Sequence, residues 1–206
     1  MLTIYGIYNS RATRPIWLAH ELGLPFKLVP VVQRYRLPDP PPPGVLHTRS
    51  AEFLKVNPNG HIPTIDDDGV VLHESLAINL YLAKKHGGPL SPKTVAEDGE
   101  MTMWSLWAVT EVEPHSLPIA QNGPSEEAVA ALRAPFATLD TALAKTGFVV
   151  GGRFTVADIN VAEIVRYARR APQLFDAAPR VKAWLAACQA RPAFKKMWDA
   201  REKESA

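Results

Sequence analysis

Val56-Asn57-Pro58-Asn59-Gly60-His61-Ile62-Pro63-Thr64-Ile65, followed closely by Leu72-His73-Glu74-Ser75, decides the reading of this chain. Asn57-Pro58-Asn59-Gly60 is dense turn chemistry, so the backbone bends sharply there before it becomes apolar. Pro63 then stands where a strand begins, a place that tolerates a residue with no N–H to give to a ladder. Ile62-Pro63 is the candidate cis peptide, because only before proline is the cis form inexpensive. A kinked entry of this kind leaves the Ile62 N–H and C=O facing outward, free to pair with an extended peptide. Thr64-Ile65-Asp66 and Val70-Val71-Leu72 flank Asp67-Asp68-Gly69, a strong hairpin signal. The second strand runs into Glu74-Ser75 and a helical stretch beginning Leu76-Ala77-Ile78. Ser75 is thus expected as an N-cap with free N–H groups behind it, a ready anion site.

Working outward, residues 2–7 read as a short buried strand and 12–23 as a helix, closed by Gly23 and Pro25. Residues 26–32 read as a second strand, so the pair should be parallel with a right-handed crossover. Residues 33–50 hold Pro38-Asp39-Pro40-Pro41-Pro42-Pro43-Gly44, which predicts an extended surface loop, with a ligand-covering flap as the alternative. Residues 51–55 predict a helical turn. The order βαβ, loop, ββα is a thioredoxin-like layer, without the C-x-x-C that disulfide exchange needs. Gly87-Gly88-Pro89-Leu90-Ser91-Pro92 reads as a linker, and beyond it 97–112, 125–145, 156–170 and 179–199 are helical in composition. The expected fold is an α/β domain over 1–86, a linker over 87–94 and an all-α domain over 95–206.

Composition bounds the function. The 206 residues are 47% hydrophobic, enough for a real core in two small domains. A net charge of +2 is too balanced to suggest nucleic acid or an anionic membrane surface as partner. The single cysteine, Cys188, leaves no internal disulfide framework and fits a reducing compartment; mid-helix among Ala and Leu, it reads as an inert apolar residue. No apolar run approaches the roughly 20 residues of a membrane span. Met1-Leu2-Thr3-Ile4-Tyr5 lacks the features of a signal peptide, so a cytoplasmic location is expected.

A strand entry at cis-proline, a hairpin, then acid-plus-serine at a helix start resembles the glutathione-binding half of the glutathione transferases. The pattern N-P-x-G-x-(I/V)-P followed by E-S-x-A-I is matched from Asn57 to Pro63 and from Glu74 to Ile78. Asn9-Ser10-Arg11-Ala12-Thr13-Arg14 is similar to the S-x-x-x-R pattern of the serine-type, bacterial-like cytosolic members. Phe154-Thr155-Val156-Ala157-Asp158-Ile159 resembles the family's C-terminal capping box, with Phe154 and Ile159 spaced as a hydrophobic staple. That segment's role is structural, and Asp158→Ala is expected to cost on the order of 1 kcal/mol.

The resemblance implies an enzyme that binds glutathione as co-substrate, without a metal, and joins its thiolate to small electrophiles, as a homodimer. A free thiol titrates near pKa ~8.5, and the thiolate is the nucleophile. Lowering that value by about two units corresponds to roughly 2.7 kcal/mol in favour of the anion. One hydroxyl hydrogen bond to a charged acceptor supplies ~1.5–3 kcal/mol, and a helix N-terminus adds ~0.3–1 kcal/mol. Ser10, between the first strand and the first helix, carries the right group; its bland alternative is an ordinary turn or N-cap serine. Tyr8 and Arg11 compete for the thiolate, and both are also candidates for the electrophile pocket. Tyr5, within the strand, reads as core.

By the same resemblance Ser75 and its helix N-terminus suit the γ-glutamyl carboxylate, while Glu74 suits the ammonium. Ile62, beside Pro63, would pair with the cysteinyl backbone. His61 stands where relatives carry Gln or Lys toward the glycyl end, a departure from the pattern. Trp104, Trp107 and Glu111, on the first helix of the second domain, are further pocket candidates. His20-Glu21 and His73-Glu74 do not continue to H-E-x-x-H, and no zinc ligand set or phosphate loop is visible. Two alternatives share the scaffold: a glutathione-dependent peroxidase or isomerase, and a non-catalytic binding or stress protein.

Overall fold

Short apolar strands and a hairpin build a four-stranded sheet in a computed structural model that describes residues 1–204. The strands are β1 (Leu2–Tyr5), β2 (Phe26–Val29), β3 (Thr64–Asp67) and β4 (Val70–His73), in the order β2-β1-β3-β4. β1 and β2 are parallel, with Ile4 opposite Leu28, because α1 (Thr13–Glu21) carries the chain back across the sheet. β3 runs antiparallel to β1, with Tyr5 opposite Thr64, and β4 antiparallel to β3. Asp68 and Gly69, at φ of 53° and 90°, close the hairpin between β3 and β4 as its positive-φ turn pair. The strand β2 ends at Val29, short of the expected 32, and Gly6 carries the pairing past Pro30, its N–H donating to the Val29 C=O at 3.0 Å and its C=O accepting from the Val31 N–H at 3.4 Å. Pro30 is tolerated there because its nitrogen faces the open edge of the sheet. Beyond it the chain stays extended, and Val32 bridges His47.

Between β2 and β3 the proline-rich segment contains one 3₁₀ turn, Arg34–Arg36, and a second cis bond at Asp39–Pro40. Arg34 and Asp39 form an ion pair of 2.5 Å across it. α2 (Ala51–Val56) and α3 (Ser75–His86) complete the thioredoxin-like layer. Its core is Ile4, Ile16, Trp17, Leu18, Ile65, Ile78 and Leu82, all fully buried, with Phe53 beside them.

The remaining chain is helical: α4 (Val95–Trp107), α5 (Glu113–Asn122), α6 (Glu126–Leu143), α7 (Val156–Val165), α8 (Pro172–Ala177), α9 (Pro179–Ala190) and α10 (Pro192–Lys203). Sequence composition suggested one helix over 179–199, but the chain breaks at Arg191, whose ψ of 140° is extended. A residue before proline is pushed out of the helical region by the ring of the next residue. α5 escaped the sequence reading because Pro114 and Pro118 look like breakers. Pro114 falls in the first turn, where its missing N–H costs nothing, and a π turn over Ala108–Val112 joins α4 to α5.

The chain forms two compact units, Met1–Leu82 with the segment from Pro192 onward, and Ala83–Arg191. This divides the sequence differently from the expected spans 1–86, 87–94 and 95–206. α10 belongs with the first unit, where Phe194 packs edge-on against Trp17 with ring centroids 4.9 Å apart. In the second unit, α7 is buried along its whole length, with its polar side chains partnered there, Asn160 donating to Ser105 Oγ at 2.9 Å and Glu163 accepting from Arg166 Nε at 2.7 Å. Asp158 closes the capping box at its start and also accepts from the Trp184 indole at 2.8 Å and the Val149 N–H at 3.1 Å. Phe154 lies under the Arg191 guanidinium at 3.8 Å.

Candidate functional site

The first unit's candidate site residues Tyr8, Ser10, Arg11, His61, Ile62, Pro63, Glu74 and Ser75 lie on three connections: the loop after β1, the turn before β3 and the start of α3. Gly6 closes β1, and a Cβ there would come within 2.7 Å of the Ala12 Cβ, so only glycine lets the loop fold back on the start of α1. Around the same point, the Ser10 Oγ and the Ile62 Cβ each lie 3.8 Å from where that Cβ would stand. The fold thus brings the serine of the first motif and the isoleucine of the second together beside Gly6.

Ser10 is half-buried. Its hydroxyl donates to the Ile7 C=O at 2.6 Å and accepts from the Ala12 N–H at 3.1 Å. The proton therefore rests within its own turn, and only a rotation about Cβ–Oγ is needed to redirect it. Tyr8 and Asn9 are held from the far end of the chain. Their N–H groups donate to the two oxygens of the Glu204 carboxylate at 2.9 and 2.6 Å, the Asn9 Nδ2 donates to the Glu204 C=O at 3.2 Å, and the Arg201 guanidinium donates to the Tyr8 C=O. Burial, and then the Glu204 carboxylate, push the Tyr8 hydroxyl above its ordinary pKa. Tyr8 is thereby kept protonated. Arg11 is exposed beside Ser10, and the Tyr5 ring faces Phe53 at 6.2 Å.

The turn before β3 is pinned by Asn57, which is fully buried. Its Oδ1 accepts from the Asn59 N–H at 3.0 Å, while Nδ2 donates to the His61 C=O at 3.0 Å and to Thr64 Oγ1 at 2.9 Å. Gly60 sits at φ 61°, and a Cβ there would lie 2.5 Å from the Thr48 carbonyl oxygen. The Ile62–Pro63 peptide is cis. Ile62 lies outside the ladder, whose last pair at this end is Tyr5 with Thr64. His61 is exposed.

At the start of α3 the structure corrects one detail. Glu74, not Ser75, takes the N-cap position: its C=O accepts the first helical bond, from Ile78, and its φ is 69°. A non-glycine residue in that region is uncommon and often marks a ligand clamp. Glu74 is exposed, with one oxygen 3.8 Å from His73 Nδ1. Ser75, the first helical residue, is buried, and its Oγ accepts from Arg14 Nη1 at 3.0 Å. Arg14 is itself buried, so the last residue of S-x-x-x-R puts a guanidinium directly behind Ser75. That link had a visible signal in the motif. Asn57 was visible as a turn residue, though not the three bonds it makes, and the roles of Arg201 and Glu204 had no signal.

Trp104, Trp107 and Glu111 belong to the second unit. The two indoles meet edge to face at 4.9 Å, half-buried, and Glu111 is exposed on the π turn. A surface cavity of about 350 Å³ in that unit, between Val129, Phe136 and Leu174, contains none of the expected site residues. Among the described residues, no three His, Cys, Asp or Glu side chains converge as a metal site, and no helix is long and apolar enough to cross a membrane.

Comparison with known proteins gives two family matches: the glutathione S-transferase N-terminal domain over residues 10–85 and the glutathione S-transferase C-terminal domain over residues 122–187. The chain is 30% identical to glutathione S-transferase GstB of Escherichia coli (strain K12), over 96% of this chain and 97% of the relative. It superposes on glutathione transferase F7 from Populus trichocarpa with a TM-score of 0.81 at 26% identity, covering 98% and 99% of the two chains. The theta class glutathione S-transferase from Xanthomonas axonopodis pv. citri, solved with glutathione bound, superposes with a TM-score of 0.75 at 26% identity, covering 95% of each chain.

Proposed function

Because the chain belongs to the glutathione S-transferase family, we propose that it holds glutathione on the first unit and joins the peptide's thiolate to a small electrophile. The observation that carries this is the meeting of Ser10 and Ile62 at Gly6. A peptide paired with the Ile62 backbone would lay its cysteinyl sulfur toward the Ser10 hydroxyl. Pro63 holds that backbone at the strand entry. Ser75 donates its hydroxyl to the γ-glutamyl carboxylate, with the Arg14 guanidinium behind it supplying the opposite charge. Glu74, held outward at positive φ, takes the ammonium. His61, exposed beside Ile62, reaches the glycyl end.

The chemistry is then simple. The thiol loses its proton to water, and the Ser10 O–H turns from the Ile7 carbonyl to the sulfur and stabilises the anion. The thiolate's electron pair forms the C–S bond, and the leaving group departs with its own pair. The Tyr8 hydroxyl, pushed up by burial and the Glu204 carboxylate, is a poorer donor than an unperturbed tyrosine. Arg11 and Tyr8, on the first unit, border the electrophile. The same thiolate would serve a peroxidase or isomerase reaction.

One observation favours a non-catalytic binding protein: the Ser10 hydroxyl already has a partner at Ile7, as an ordinary turn serine does. Calorimetric titration of glutathione into the wild type and the Glu74→Gln/Ser75→Ala variant, with turnover of an activated aryl halide by Ser10→Ala, separates these readings. Saturable binding that weakens sharply in the double variant, with turnover lost in Ser10→Ala, supports the transferase. No binding at millimolar glutathione leaves a scaffold protein, and full turnover in Ser10→Ala removes Ser10 from the mechanism.

A homodimer fits the exposed apolar side chains of Met103, Leu106 and Val109, spaced three apart along one face from α4 into the π turn, and of Val70 and Val71 on the edge strand β4. Sedimentation equilibrium tests it. A cytoplasmic location fits the lone buried cysteine.

A further inference from the structure

We propose that Glu204 and Arg201, on and just beyond α10, are positioning residues that hold the Ser10 loop in its working geometry. The inference rests on the assignment of Ser10 as the thiolate donor. A carboxylate that accepts from two successive backbone N–H groups fixes both peptide planes at once, and charge-assisted bonds of this kind are the stronger ones. Here the two amides are those of Tyr8 and Asn9, and the Arg201 guanidinium takes the Tyr8 carbonyl from the other side of the same peptide. The clamped pair lies between Ile7, whose carbonyl receives the Ser10 proton, and Ser10 itself. Both ends of the hydroxyl's resting hydrogen bond are therefore adjacent in sequence to a clamped residue. The hydroxyl must swing from that carbonyl to a sulfur without the loop moving, and a loop with glycine at its start has little stiffness of its own. The clamp supplies it, from a residue 195 positions away. α10 itself is anchored on α1 by Phe194 against Trp17, so loop, first helix and last helix make one frame.

The test is steady-state turnover of glutathione with an activated aryl halide, and the pH dependence of bound thiolate absorbance. Wild type, Glu204→Ala, Ser10→Ala and the double variant are compared. Loosening the loop predicts a fall in kcat of about ten- to a hundred-fold in Glu204→Ala, the scale of an ångström of misplacement, with the KM for glutathione changed less than about threefold. The bound thiol's pKa should rise by about one unit. A bystander charge acts in the opposite direction, since deleting a nearby carboxylate eases thiolate formation and lowers that pKa. In the Ser10→Ala background, Glu204→Ala should cost less than about twofold, because nothing remains to position. Should Glu204→Ala fail to fold by circular dichroism, Arg201→Ala replaces it, with an expected kcat loss of about three- to tenfold. An active wild type whose clamp variant keeps kcat within about threefold, or whose thiol pKa falls or stays put, overturns the inference alone. An inactive wild type, or full activity in Ser10→Ala, overturns the functional reading and this inference with it.

Discussion

Replacing Asn57 tests whether the turn before β3 is held by one side chain. Asn57 is fully buried and makes three hydrogen bonds, to Asn59, His61 and Thr64. Each buried bond contributes about 1 kcal/mol net, so Asn57→Ala should cost about 3 kcal/mol. That is a large part of the roughly 5–15 kcal/mol by which a domain is stable. Asn57→Asp sharpens the test. It keeps the acceptor for the Asn59 N–H but turns a carboxylate oxygen toward the His61 carbonyl, 3.0 Å from where the amide nitrogen was. The expected order of stability is wild type, then Ala, with Asp at or below Ala. Urea unfolding followed by far-ultraviolet circular dichroism reads it as a shift of midpoint at constant slope. A loss under about 1 kcal/mol in Asn57→Ala, or an Asp variant as stable as wild type, would refute the argument that this amide pins the turn.

Other perturbations follow from the same structure. Gly60→Ala meets both a positive φ and a backbone oxygen at 2.5 Å, so it should destabilise by about 2 kcal/mol or more, read as a fall in melting temperature; an unchanged melting temperature would show that the turn can relax. Asp158→Ala strands the Trp184, Val149 and Thr155 N–H donors in the core. It should therefore cost about 3 kcal/mol in urea unfolding, above the ~1 kcal/mol of a simple cap, and a loss near that lower figure would count against the extended network. The Arg153 guanidinium, helped by the Lys93 N–H, holds the Glu97 carboxyl at about 2 against an ordinary 4.5. A depressed carboxyl stabilises the fold above its unfolded value and stops doing so as pH falls through its folded one. The stability gap between wild type and Arg153→Gln, about 1 kcal/mol for a half-screened pair, should be full at pH 7 and close between about 4.5 and about 2. A gap that persists at the acid end rules out the ion pair as its source.

What was legible in the sequence was local. Asp68-Gly69 named the hairpin because few residue pairs accept two positive φ values in succession. Asn57 to Gly60 named the turn, and Thr155 with Asp158 named the start of α7. What was not legible depended on partners far apart. Arg14 was visible as a motif letter, but its contact with Ser75 spans 61 residues. Glu204 sits in an exposed-looking charged tail, and nothing around it hints that two amides near the other end of the chain need an acceptor. Pro114 misled for a related reason: whether a proline breaks a helix depends on which turn it falls in.

The break at Pro192 has a consequence for synthesis. The first unit is interrupted by residues 83–191, and its closing helix leaves the ribosome only after they do. At ~5–20 residues per second, that interval is roughly 5–20 s. Throughout it the face of α1 that carries Trp17 has no Phe194 to cover it. The first unit to begin synthesis is therefore the last to receive all of its residues, and its sheet and first helix wait for a helix made after the whole of the second unit.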